Sequence, residues 1–340
     1  MKRNLAILVS AVLSVSMLAG SSAVYAEGTP ETENGTEKMK IAFIPQLIGI
    51  PYFTAMEIGG NAAAEDLGVE YLNVGSPTAN AVEQVKIMDS LIRQGVDAVS
   101  ISVLDTESIN PYIDQAKEAG ILAYTSDSDA PNSNREFFVC QAMSDDMGRT
   151  LIDELVKQTG EEAQIGFVSG ESTASNLNAW IDAMKERVDE KYPNIEIVDV
   201  RYTTDGSTED ALKQTQEMMI KFPELRGVVG VATSVVPGLA QAVQQAGKAG
   251  EISVIGVASP NVVRPYIEAG VMKCSVLWNA VDLGYLTVWA AHHWITEGSF
   301  EAEFKLDAID NTIQWIEDER TLLLGDPLVI DADNVDDFDF

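Results

Sequence analysis

Residues 40–55 read KIAFIPQLIGIPYFTA. Ile41, Ala42, Phe43 and Ile44 make a short apolar run and Pro45 ends it. Gln46, Tyr52 and Phe53 then lie in a loop ahead of a helical pattern over residues 54–67. A fully apolar strand that feeds a helix through an aromatic loop opens a doubly wound α/β domain. In such domains ligands bind beyond the carboxyl ends of the strands. The loop is expected to form one lip of a cleft for a small polar molecule.

The same rhythm continues outward. Apolar, β-branched runs at 69–75, 96–102 and 121–128 alternate with helical stretches at 81–94 and 107–119. Continuous apolar strands are what a sheet covered on both faces requires. Gly68, Gly95 and Gly120 stand just past the helices, where a left-handed cap is wanted. Polar turn formers at 130–136 (APNSNRE) interrupt the pattern, and a second strand–helix set runs to residue 259. A helix (261–269), a strand (271–278) and a long amphipathic helix (280–297) follow, then a strand-poor acidic tail ending DNVDDFDF. The returning strand and helix must join a sheet, and the first is the expected host. The expected architecture is two doubly wound parallel-sheet domains joined by a multi-strand hinge. Residues 39–130 and 260–300 form one lobe, and residues 131–259 and 301–340 the other.

The flanks set the compartment. Lys2 and Arg3, an apolar core over 5–18 and the small-residue site Val24-Tyr25-Ala26 make residues 1–26 a secretory signal peptide. Leu18-Ala19-Gly20-Ser21 resembles a lipobox but has serine where the lipid-accepting thiol belongs. The protein is therefore expected in the periplasm or outside the cell, with 27–38 as a disordered polar leader. The 340 residues carry 53 acidic and 22 basic side chains, a net charge of −31. So acidic a surface repels nucleic acid and anionic lipid. Cys140 and Cys274 each fall in an apolar run, which favours buried free thiols over a disulfide.

Several motifs together resemble a known family. IAFIPQLIGIPYFT, TSDSDAP, ASPNVVRPYIEAG, SVLWNAVDLG and the closing DFDF are similar to type I periplasmic sugar-binding proteins of ABC importers. The likeness is to the branch that holds autoinducer-2 receptors and rhamnose-binding proteins. It implies a monomeric binder that takes a small sugar-like molecule by hinge closure and hands it to a membrane permease, with no cofactor. It also places a receptor lysine at Gln46, an aspartate at Asp127, an aspartate–glutamine pair at Asn176 and Leu177, and backbone contacts at Val231 and Thr233. Gln46 and Asn176 remove one positive and one negative charge together, and Leu177 offers no hydrogen bond. A neutral rhamnose-like or pentose-like sugar is then as open a choice as autoinducer-2.

Candidate ligand-binding residues follow from position as well. Asp127 and Asp129 end the run at 121–128, where a carboxylate can accept two sugar hydroxyls. Tyr52 and Phe53 can stack on a sugar ring or anchor the first helix. Asn176 and Asn178 open a helix, and Asn176 is also a natural cap. Thr233 and Ser259 follow strands of the second set, while Trp278 and Asn279 end the returning strand. Trp180 reads as packing and Arg264 as an ion pair. There is no phosphate loop, dinucleotide fingerprint, nucleophile elbow or zinc-protease helix. His292 and His293, adjacent on a helix, point about 100° apart and do not share a metal. Binding is expected in place of catalysis; a carbohydrate enzyme would need Asp127 paired with a second acid such as Glu171.

Overall fold

The computed structural model describes residues 38–340 apart from Glu171, Thr173 and Asp205. The expected signal peptide, and the leader up to residue 37, lie outside the described residues, as does Glu171. β1 (Lys40–Ile44), α1 (Pro51–Leu67), β2 (Glu70–Asn73), α2 (Ala81–Gln94), β3 (Ala98–Ile101), α3 (Thr106–Glu118), β4 (Leu122–Ser126) and β5 (Phe138–Cys140) follow in order. After Lys40 the residues of β1 are all apolar, because both faces of the strand are covered. Ile41 and Phe43 enter the core under α1, while Ala42 and Ile44 enter the core under α2 and α3. Pro51 opens α1, so Tyr52 and Phe53 stand in its first turn and not in the loop. The fixed φ of proline suits that position.

The chain continues through α4 (Ser144–Thr159), β6 (Ala163–Ser169), α5 (Ser175–Lys191), β7 (Ile195–Tyr202), α6 (Thr208–Lys221), β8 (Leu225–Gly230), α7 (Val236–Gln245) and β9 (Ser253–Gly256). Next come α8 (Pro260–Glu268), β10 (Cys274–Leu277), α9 (Ala280–Glu297), β11 (Glu303–Leu306), β12 (Ile309–Ile316), β13 (Thr321–Leu323) and β14 (Leu328–Asp331). One sheet has the order β11-β12-β13-β5-β4-β3-β1-β2 and another the order β7-β6-β8-β9. Every pairing is parallel in the second sheet and from β13 to β2 in the first, as α/β domains require.

Sheet membership departs from the sequence expectation in three places. β5, expected in the second set, pairs with β4 (Thr125 opposite Phe138), so the chain leaves the first sheet only after Cys140. β10, expected in the first sheet, lies beside β9: Met272 bridges Val254, and Ser275 Oγ donates to the carbonyls of Gly256 and Ala258. The short β9–α8–β10 connection makes a βαβ crossover onto the nearest open edge. The tail is not strand-poor. β11, β12 and β13 extend the first sheet past β5, and only β14 returns to pair with β10. A short turn after α9, which packs on α1, keeps these strands on the first side, and β13 covers an otherwise open edge.

The chain therefore passes between the sheets at 141–143, 278–279 and 324–327. Leu324 N donates to Cys140 O at 2.8 Å, so the third passage starts tied to the last residue of β5. Cys140 and Cys274 are buried free thiols on different sheets, and burial pushes both up to about 12. Among the described residues no helix is long and apolar enough to cross a membrane.

Candidate functional site

Two strand ends of the first sheet, those of β1 and β3, are held in register by one buried side chain. Gln84 on α2 donates through Nε2 to Pro45 O (3.1 Å) and Ser102 O (2.7 Å). Its Oε1 accepts from Leu104 N at 3.1 Å. Gln46 donates to Val103 O at 3.3 Å, and Ser128 Oγ donates to the same carbonyl at 2.8 Å. These bonds satisfy loop backbone that would otherwise be buried unpaired, and they fix where β1, β3 and β4 deliver their next residues.

Asp127 follows β4 with a φ of 68°, a left-handed conformation that aspartate tolerates better than most residues. Its N–H is anchored on Val139 O at 3.1 Å. Tyr52 Oη donates to Asp127 Oδ1 at 2.5 Å and Ser102 Oγ to Oδ2 at 2.6 Å. Trp278 Nε1 donates to Tyr52 Oη at 2.9 Å. The polarity of this relay is forced. The indole N–H can only donate, so the Tyr52 oxygen accepts it and sends its own proton to a carboxylate that can only accept. Each carboxylate oxygen keeps lone-pair capacity for a further donor.

The charges are set by burial. Desolvation raises the Asp127 pKa above the ordinary carboxyl value, and the Ser102 and Tyr52 hydroxyls pull against it. Burial, and then the negative Asp127, hold the Tyr52 phenol well above its usual value, so it stays a neutral donor. Phe53, Tyr52, Trp278 and Trp180 form an edge-to-face series, with Tyr52–Trp278 and Trp278–Trp180 centroids each 6.0 Å apart.

These groups line a cleft of about 250 Å³ between the ends of the two sheets. Gln46, Leu47, Ile50, Tyr52, Phe53, Asp127 and Ser128 come from the first side. Asn176, Leu177 and Trp180 on α5, with Ala232, Thr233 and Val257 after β8 and β9, come from the second. Gln141, Leu277 and Trp278 sit at the passages between them. Drug-sized ligands occupy roughly 300–1,000 Å³, so this cleft suits something smaller. Among the described residues that line it, Asp127 is the only charged one. One acceptor-rich wall facing aromatic and aliphatic surface can bind a compact, neutral, hydroxyl-bearing molecule.

Seven sequence candidates meet here: Gln46, Tyr52, Phe53, Asp127, Asn176, Thr233 and Trp278. Four do not. Asp129 chelates Arg135 at 2.5 and 2.7 Å and faces a separate acidic hollow of about 750 Å³. Asn178 is not in the lining and donates to Ser172 O, just ahead of α5. Ser259 is buried at the start of α8, and Asn279 caps α9 by accepting from Val281 N and Asp282 N. Asn176 is not the cap of α5; Ala174 occupies that position. Trp180 lines the cleft besides packing in the core. Arg264 does more than pair with Asp336, because it also holds the carbonyls of Val335 and Phe338.

Ser102, Gln84 and Gln141 escaped the sequence reading. The one available signal was a polar side chain within an apolar run, as in SISV and FFVCQA. Among the described residues no group of three or more His, Cys, Asp or Glu is placed to hold a metal.

Residues 41–298 match the family described as periplasmic binding protein domain. A D-ribose/D-allose-binding protein of Pseudomonas aeruginosa is 25% identical over 257 residues, 73% of this chain and 77% of that protein. Among solved structures, a sugar ABC transporter protein of Actinomyces odontolyticus has a TM-score of 0.80 at 27% identity, covering 89% of this chain and 98% of its own. A solute-binding protein of Clostridium phytofermentas with bound L-rhamnose gives 0.75 at 25% identity, covering 88% and 98%. LsrB of Clostridium saccharobutylicum in complex with AI-2 gives 0.74 at 21% identity, covering 88% and 100%, a likeness of fold alone.

Proposed function

We infer the task of this chain from one premise: it belongs to the periplasmic binding protein domain family. It is a sugar-binding protein of an ABC importer, and it works outside the cytoplasm. Its ligand is a small neutral sugar, of the pentose, hexose or deoxyhexose size that its relatives' names suggest. The ligand enters the cleft, is held by residues from both sheets, and stabilises the closed arrangement because only that arrangement gives it both walls. The closed form is then presented to a membrane permease. The protein is a monomer, needs no cofactor and performs no covalent chemistry.

The observation that carries this reading is the Trp278–Tyr52–Asp127–Ser102 relay. It aims a preorganised carboxylate into a compact aromatic cleft at the carboxyl ends of both sheets. A buried acceptor of this kind discriminates strongly, since a ligand without the matching hydroxyl leaves it unpaired. Autoinducer-2 is the alternative ligand that the family resemblance offers. Two features weigh against it: Gln46 spends its amide on Val103 O, and Leu177 presents only hydrocarbon.

A thermal-shift panel of D-ribose, D-allose, L-rhamnose, D-xylose, D-galactose and autoinducer-2 tests the assignment. A ligand at ~1,000 times its Kd adds about 4 kcal/mol of stability. At least one neutral sugar is expected to shift the melting transition; silence across the sugars overturns the assignment. A shift from autoinducer-2 alone replaces it with the receptor reading. Product release from any sugar would return the protein to the enzymes.

A further inference from the structure

We propose that Gln141, on the first passage between the sheets, is a ligand-binding residue that accepts a hydroxyl of the bound sugar. The inference deepens the sugar-binding reading and rests on it. Gln141 immediately follows β5, and only 8% of its surface is exposed. It lines the cleft, yet its Oε1 is buried with no hydrogen-bond partner. Buried carbonyl oxygens are rarely left unpaired, because burial strips their water and returns nothing. The other buried glutamine of this region shows the ordinary outcome, for both ends of Gln84 are engaged. What distinguishes Gln141 is that its neighbour is the cleft itself. The missing partner is then a donor brought by the ligand.

Position gives the contact a particular role. Cys140 O, at the end of β5 and one residue before Gln141, accepts from Leu324 N, so the first and third passages leave the first sheet side by side at this point. Gln141 is therefore carried by the connection between the sheets and not by either wall. A group on the pivot moves least during closure, so it can hold the ligand in the open form and keep it in register as the walls meet. The partners required of the ligand also narrow its class. Asp127 and Gln141 Oε1 both ask for donors, and among the described residues the cleft lining has no cationic side chain. A neutral polyol meets these demands, whereas sugar phosphates and sugar acids bring charge that nothing here neutralises.

The test uses intrinsic tryptophan fluorescence, since Trp180 and Trp278 line the cleft. Parent, Gln141→Leu and Gln141→Glu are titrated with D-ribose, D-allose and L-rhamnose. For the sugar that binds the parent, Gln141→Leu is expected to bind about tenfold more weakly, the scale of one neutral hydrogen bond. Gln141→Glu, which keeps an acceptor, is expected to retain more of the affinity than the leucine variant. Without sugar, Gln141→Leu is expected to melt no lower than the parent. Monodeoxy analogues of the sugar complete the cycle. One of them should bind the parent about tenfold more weakly yet bind Gln141→Leu as well as the full sugar does. Equal affinity of parent and leucine variant overturns the role of Gln141 while the sugar reading stands. A leucine variant that melts far below the parent makes Gln141 a structural residue and overturns the proposal too. A parent that takes none of the sugars overturns the reading on which both rest.

Discussion

At the scale of single residues the site turns on a carboxylate whose comfort and usefulness pull in opposite directions. Asp127 is half-buried at a left-handed φ of 68°, and desolvation raises its pKa against the pull of the Ser102 and Tyr52 hydroxyls. Asp127→Asn keeps the shape and tolerates the backbone while removing the charge. The pH dependence follows from the direction of the shift. The unfolded carboxyl titrates near ~3.9 and the folded one above it, so the group favours folding below about pH 4. That contribution is lost as pH rises through the folded value. The asparagine variant is therefore expected to gain on the parent in Tm between pH 4 and pH 7. It is also expected to bind the parent's sugar about tenfold or more weakly, because a charged acceptor has become a neutral one. Melting curves at the two pH values, with a fluorescence titration, check both halves. A variant Tm that falls relative to the parent's as pH rises would contradict the burial argument. Asp127 was legible in the sequence because it ends a strand in a βα unit, where ligands are met. Ser102 and Gln141 were not, because a lone polar residue beside an apolar run has no periodicity to betray its partner.

At the scale of elements, α1 carries Tyr52 and Phe53 to the cleft, and its position is set by α9. The two helices approach so closely that a Cβ on Gly284 would lie 1.9 Å from Met56 O, and one on Gly59 would lie 1.8 Å from Val281 O. Backbone cannot swing aside as a side chain can. Gly284→Ala is therefore expected to cost about 3 kcal/mol, the upper part of the overpacking range. Scanning calorimetry should show Tm falling by roughly 5–10 °C, with weaker sugar binding from a displaced Tyr52; an unchanged Tm would refute the contact. On the second side, Asp153 of α4 holds α5 through Arg187, Lys191 and Tyr192. These donors, Arg187 first, lower its carboxyl to about 2. A depressed pKa gives stability that is present above about pH 4 and is lost as the pH falls toward 2. Asp153→Asn is expected to cost about 1–2 kcal/mol at pH 7 and much less near pH 2, measured by urea unfolding at each pH. The helices and the parallel strands were readable because strands covered on both faces are apolar throughout. β11 and β12 were not. They form an antiparallel hairpin with exposed Glu303, Lys305, Asp310, Asn311 and Gln314, and only Ile309 and Ile313 fully inside.

At the scale of the molecule, strand type could be read locally but sheet membership could not. Whether β10 or β13 joins one sheet or the other depends on which edge is open after the rest has folded, and that edge lies far away in sequence. The outcome is a chain that passes between the sheets three times, with the cleft walled by both. A ligand held by both walls should stabilise both domains, whichever of them loosens first. The cysteines supply a probe on each side. Cys140 lies on β5 of the first sheet and Cys274 on β10 beside the second; both are buried, with thiols pushed up to about 12. Thiolate is the reactive form, so alkylation of the native protein is expected to be slow at both positions and to report local opening. In moderate urea, labelling followed by peptide mass analysis should give each cysteine its own rate. Adding the sugar that shifts the melting curve should slow both rates together. Slowing at Cys140 alone would mean that the ligand rests on the first wall without engaging the second. Closure by bridging would then have to give way to capture on one domain.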